Sequence, residues 1–149
     1  MTMKLLVDTN VLADYYLQRE TFSKDANRLI VAAINKDVEL WAAAKSYTDI
    51  FYVGRKYFSS KVLQNAFFKS FQFINVCSID KEDLVNATQN CWSDLEDCLI
   101  WRAALKVNAD AIITRDTEGF SAANTETKTP TEILEVLANS GLQYEIVEF

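Results

Sequence analysis

Four aspartates carry the side chains of this chain best suited to chemistry: Asp8, Asp49, Asp97 and Asp116. Asp8 and Asp116 share a context. One follows the apolar run Leu5-Leu6-Val7, and the other follows Ala111-Ile112-Ile113-Thr114 and Arg115. A run without polar alternation reads as a strand buried on both faces, as in parallel sheets covered by helices. Ligands in such sheets bind beyond the carboxyl ends of the strands, so two strand-terminal acids belong at one edge. Asp49, in Ser46-Tyr47-Thr48-Asp49, sits near the start of a helix that follows a strand, which brings it to the same cleft. Asp97, in Asp94-Leu95-Glu96-Asp97, precedes Ile100, Trp101 and Ala104 and lies on or beside their buried stripe.

An unpaired carboxylate in such a place is costly and has a raised pKa. Several together make sense around a cation, and oxygen-only ligands suit Mg²⁺ or Mn²⁺. The chain contains no histidine. That removes His-based acid–base pairs, Ser-His and Cys-His nucleophiles and the usual zinc sites. A hard cation can activate water and stabilise charge on a phosphodiester, which is the physical basis of a hydrolytic nuclease. Each acid also has a purely structural reading. Asp8 or Asn10 suits the N-cap of the next helix, and Ser46 to Asp49 and Ser93 to Glu96 both fit a capping box. Acids in a first helical turn are favoured by the macrodipole as well.

The elements that must position these acids follow from periodicity. Strands are expected at Leu5 to Val7, Val38 to Ala43, Phe73 to Cys77 and Ala111 to Thr114, with a terminal strand over Gln143 to Phe149. Helices are expected over Val11 to Leu17, Ala26 to Asn35, Ser46 to Phe58, Ser60 to Phe71, Lys81 to Asn90 and Leu95 to Lys106. Thr129-Pro130 opens a last helix that Gly141 stops. Strands alternating with helices argue for a three-layer α/β/α domain with a mostly parallel sheet.

With 149 residues, half of them hydrophobic, the chain suits one domain spanning 1–149. Charges interrupt every apolar run, so a membrane span and a signal peptide are not expected and a cytoplasmic location is. Three cysteines, Cys77, Cys91 and Cys98, lack a C-x-x-C spacing and read as core residues. The formal charge of −6 advertises no general affinity for nucleic acid, so a polyanionic substrate needs a local inversion of the field. Lys45 and Arg115 are candidates to position phosphates, whereas Arg55, Lys56 and Arg102 read as solvated helix faces. Tyr15, Tyr16, Phe51, Tyr52 and Trp101 can stack on unpaired bases, with packing the preferred role. The aromatic run Phe67 to Phe73 reads by default as core and marks, as the alternative, a self-association or partner surface.

Four segments together resemble the PIN-domain family, metal-dependent ribonucleases that include VapC-like toxins of toxin–antitoxin pairs. They are Leu6-Val7-Asp8-Thr9-Asn10-Val11-Leu12, Ser46-Tyr47-Thr48-Asp49-Ile50-Phe51-Tyr52, Asp94-Leu95-Glu96-Asp97-Cys98-Leu99-Ile100, and Ala109 to Asp116 followed by Phe120. The resemblance implies an acidic quartet of Asp8, Asp49, Asp97 and Asp116 holding Mg²⁺ or Mn²⁺. Asn10 and Thr114 would support the acids, and Asp94 is a further candidate ligand beside Asp97. The family usually has glutamate where this chain has Asp49, one methylene shorter. An RNA substrate and an antitoxin protein are the partners implied, and a homodimer is the self-association suggested by the Phe67 to Phe73 run.

Two other readings compete. One is a PIN-like RNA- or protein-binding scaffold with little or no nuclease activity, which the shorter Asp49 keeps open. The other, more distant, is a haloacid-dehalogenase-like phosphatase, whose nucleophilic aspartate also follows the first strand. That chemistry needs a second acid two positions on, where this chain has Asn10.

Overall fold

Residues 2–148 are described by a computed structural model. The strands are β1 (Met3–Val7), β2 (Val38–Ala43), β3 (Ile74–Cys77), β4 (Ala111–Ile113) and β5 (Thr127–Lys128). They form one sheet in the order β3-β2-β1-β4-β5, every pair parallel. The helices are α1 (Thr9–Tyr16), α2 (Ser23–Ile34), α3 (Ala44–Gly54), α4 (Ser60–Ser70), α5 (Lys81–Asn90), α6 (Leu95–Lys106) and α7 (Pro130–Asn139), with a 3₁₀ turn at Thr117–Phe120.

Alternation along β1 decides the layers. Leu5 and Val7 face a core shared with Leu12, Leu29, Ile50, Leu63 and Ile133, from helices α1, α2, α3, α4 and α7. Leu6 faces the opposite side, with Ile100, Ala103 and Ala104 of α6 and Phe120. All three β1 residues are buried, which is why this central strand shows no polar alternation. The expected three-layer α/β/α architecture is the one observed.

Most elements fall where periodicity puts them, and three differences have physical causes. The expected terminal strand at Gln143 to Phe149 does not form over 143–148, and Phe149 lies outside the described residues. Side chains hold that segment against α2 and the loop after it: the Tyr144 hydroxyl donates to Asp37, and Asn27 exchanges two hydrogen bonds with the Val147 backbone. The sheet edge beside β4 is taken instead by β5, whose two residues are too few to give a period.

Helix α3 runs from Ala44 to Gly54 rather than from Ser46 to Phe58. Strand β2 passes straight into it, so Ser46 is no cap, and its hydroxyl bonds Thr9 Oγ1 at 2.7 Å. A Cβ at Gly54 would stand 2.7 Å from Leu17 Cδ2, so glycine lets α3 pack closely there. Arg102 is not a free solvated residue. It donates to buried Asp83, as does Lys106, tying α6 to α5.

Candidate metal centre

The register of β1 with β4 pairs Val7 with Ile113 and puts Asp8 and Thr114 side by side at the carboxyl edge. The Asp8 amide donates to the Ile113 carbonyl at 2.8 Å. Asp8 is buried, and both its oxygens are engaged: Oδ1 accepts from the Thr9 amide at 2.7 Å, and Oδ2 accepts from Thr114 Oγ1 at 2.8 Å. Asp8 is thus the N-cap of α1 while its carboxylate stands at the strand end. Burial pushes its carboxyl above the ordinary value, and the two donors pull the other way.

Thr114 is fully buried and organises the neighbourhood. While donating to Asp8, its hydroxyl accepts from the Asp116 amide at 3.0 Å and from Asn10 Nδ2 at 3.4 Å. Asn10 Oδ1 in turn accepts from the Arg115 amide at 3.3 Å. Asn10 and Thr114 therefore hold the turn carrying Asp116 against the start of α1.

Asp97 reaches the same edge by a different route. Helix α6 leads into β4, so it runs antiparallel to the strands and begins at their carboxyl ends. Asp94 caps it, accepting from the Asp97 amide at 3.1 Å, which makes Asp94 rather than Ser93 the N-cap. Asp97 and Asp116 converge on Gly119. A Cβ there would stand 2.6 Å from Asp97 Oδ2 and 3.1 Å from Asp116 Oδ2, so the glycine leaves the space both carboxylates use. Partial burial, then the charges of Asp94, Asp8, Asp116 and Glu96, raises the Asp97 carboxyl to about 6.

Asp49 lines the same cleft, of about 320 Å³, with Asp8, Asp94, Glu96 and Asp97. It stands in the second turn of α3, and its Oδ2 is bonded to Lys45 Nζ at 2.7 Å. Lys45 also lies 3.4 Å from Glu96. It faces the acids as their internal counter-charge. Arg115 is held away from the acids by Asp14: Nε and Nη2 donate to its carboxylate at 2.7 and 3.3 Å, and the guanidinium stacks over Phe22. Arg19 Nη1 lies 3.4 Å from the same Asp14, whose side chain is 1% exposed.

Gly119, Arg19 and Asp14 are the participants that sequence reasoning missed, and Glu96, read there only as a neighbour of Asp97, is the second partner of Lys45. Among the described residues no three acidic side chains close into a finished ligand shell. The donor set nevertheless fits a hard divalent cation. Asp97 and Asp116 share a cradle that a methyl group would fill, and Asp8 adds a third carboxylate whose charge acts on Asp97.

A parallel three-layer α/β/α domain with acids gathered at the carboxyl edge of its central strands is a class found among metal-dependent enzymes. The family model of the PIN domain matches residues 4–118, and the chain belongs to that family. Its fold is similar to a toxin–antitoxin complex from Klebsiella pneumoniae, with a TM-score of 0.62, 22% identity and coverage of 85% of this chain and 97% of the other. It is also similar to FitAcB from Neisseria gonorrhoeae, with a TM-score of 0.62, 16% identity and coverage of 85% and 98%. A third likeness is to VapBC2 from Rickettsia felis bound to a promoter DNA fragment, with a TM-score of 0.60, 14% identity and coverage of 85% and 98%. At these identities the likeness is one of fold. No curated protein matches the chain.

Proposed function

We propose that this chain is a divalent-metal-dependent endoribonuclease, the toxin of a toxin–antitoxin pair, folded as one domain and working in the cytoplasm. The observation that carries this reading is the approach of Asp97 and Asp116 to the space left by Gly119, with Asp8, from a third stretch of chain, near enough for its charge to act on Asp97. Membership of the PIN-domain family and the likeness to toxin–antitoxin structures support it.

Asp8, Asp97 and Asp116 would hold Mg²⁺ or Mn²⁺, with Asp49 and Asp94 beside them. An ion bound there would supply Lewis-acid stabilisation of the phosphodiester and lower the pKa of a water. The chain's own residues do the rest. The Thr114 hydroxyl and Thr9 amide orient Asp8. Asn10 fixes the turn that bears Asp116 through the Arg115 amide. Lys45 offsets part of the acids' repulsion of an approaching phosphate. An RNA strand is the substrate, an antitoxin protein the restraining partner, and a second copy of the chain a candidate partner.

The runner-up is a PIN-like scaffold of low activity, favoured by one observation: the Asp49 carboxylate is engaged by Lys45. A haloacid-dehalogenase-like phosphatase is disfavoured, because position 10 is an asparagine occupied in hydrogen bonds to Thr114 and the Arg115 amide. Cleavage of total RNA by wild type and Asp8→Asn, with Mg²⁺, Mn²⁺ or chelator, separates the readings. Metal-dependent cleavage lost in Asp8→Asn is expected. Cleavage that survives both chelation and the substitution would refute the metal-dependent reading of this centre, and no cleavage under any condition would favour the scaffold.

A further inference from the structure

The acid cluster contains its own cation. Lys45 Nζ lies 2.7 Å from Asp49 Oδ2 and 3.4 Å from Glu96 Oε1, and its side chain is 23% exposed. The short contact is a charge-assisted hydrogen bond between residues four apart on α3, the spacing at which helical side chains meet. Asp49 carries no β-to-γ extension beyond a single methylene, so its carboxylate stays close to its own helix, where Lys45 reaches it. The cation that lines the cleft wall, Arg19, lies against Asp14 instead. Lys45 is thus the side-chain cation that bridges two of the acids facing the cleft.

A lysine ammonium is a compact, strongly hydrated point charge with three donors. A divalent ion that recruited Asp49 would have to take this carboxylate from the ammonium and leave Lys45 beside it as a like charge. A second ion near Asp49 and Glu96 would meet the same repulsion. Asp8, Asp97 and Asp116 carry no such ion pair among the described residues.

We propose that Lys45 is a positioning residue: it keeps Asp49 out of the ligand set and, as a tethered ammonium between Asp49 and Glu96, occupies with one positive charge the place a second divalent ion would take. The centre then takes a single ion on Asp8, Asp97 and Asp116. This rests on the reading of the centre given under Proposed function and specifies its stoichiometry and its ligands.

The test is Mn²⁺ titration of the full chain by calorimetry, with free ion counted by electron paramagnetic resonance, and without RNA. Wild type should bind one Mn²⁺ per chain, and Asp49→Asn should keep its affinity within about twofold, because that carboxylate is already committed. Lys45→Met should either admit a second ion or tighten the first about tenfold, the scale on which neighbouring groups tune metal affinity. Lys45→Met combined with Asp49→Asn should lose that gain, since the gain runs through Asp49. Lys45→Arg, which keeps the charge, should retain one ion and serves if Lys45→Met does not fold.

Two ions on wild type would overturn the proposal, as would an Asp49→Asn defect as deep as that of Asp97→Asn. So would Lys45→Met behaving as wild type, or, in its stead, Lys45→Arg binding two ions. Those outcomes leave the centre itself standing. Wild type that binds no Mn²⁺, or Asp97→Asn that binds it normally, overturns the centre and this proposal together.

Discussion

Thr114 Oγ1 donates to Asp8 Oδ2 at 2.8 Å, joining the ends of two adjacent strands across 106 residues of sequence. The same hydroxyl accepts from the Asp116 amide at 3.0 Å. One buried oxygen therefore sets the orientation of one acid and the backbone of another. Thr114→Val keeps the shape and removes both functions. The fold should persist, and Mn²⁺ affinity should fall about 10- to 100-fold, the usual cost of losing a group that orients a metal ligand. Thr114→Ser should restore most of it. Calorimetric titration of the three proteins checks this.

Gly119→Ala should damage the centre with little effect on the fold. The added methyl would meet Asp97 Oδ2 at 2.6 Å, closer than carbon and oxygen pack, and Asp116 Oδ2 at 3.1 Å, a tight contact, so the Asp97 carboxylate must turn aside. RNA cleavage should drop by about tenfold or more, as it does when reacting groups are misplaced by an ångström. Far-ultraviolet circular dichroism should be unchanged. Cleavage at the wild-type rate would mean that the two carboxylates do not need this space.

The pH dependence follows from Asp97, whose carboxyl is raised from 3.8 to about 6. A folded-state pKa above the unfolded one means that the native chain binds its proton more tightly. The group thus favours folding at low pH and loses that contribution as pH rises from about 4 through about 6. Asp97→Asn should raise the melting temperature of the ion-free protein by a few degrees at pH 7.5 and change it little at pH 4. Mn²⁺ affinity of the wild type should weaken as pH falls below about 6, where the proton competes for the same oxygen. Melting curves of both proteins at the two pH values decide the first point.

Asp14 predicts stability rather than activity. Its carboxylate, 1% exposed, binds Arg115 through two nitrogens and Arg19 through one. Asp14→Ala leaves Arg115 without its partner, and about 3 kcal/mol should be lost, the low end for breaking a buried pair because Arg115 retains some contact with water. Urea denaturation measures it.

Much of this arrangement can be read from residue types. Leu5 to Val7 and Ala111 to Ile113 announce buried parallel strands, and the acids after them must meet at one edge once those strands pair. Asp97 is legible through the apolar stripe of its helix. Gly119 is not legible, because its role is an absent side chain beside residues brought there by another helix. The Lys45–Asp49 pair has a readable i,i+4 spacing, yet its consequence depends on Glu96 arriving from α6. The Asp14–Arg115 bond spans 101 residues, and no local pattern reports it. The sheet position of Thr127–Lys128 is equally silent, since two residues carry no period.

The most direct test of the centre is the anomalous scattering of a crystal soaked in Mn²⁺ at neutral pH. One peak within coordinating distance of Asp8, Asp97 and Asp116, lost in Asp97→Asn, is the predicted result. A peak elsewhere, or none between these carboxylates in crystals of protein that cleaves RNA with Mn²⁺, would contradict it.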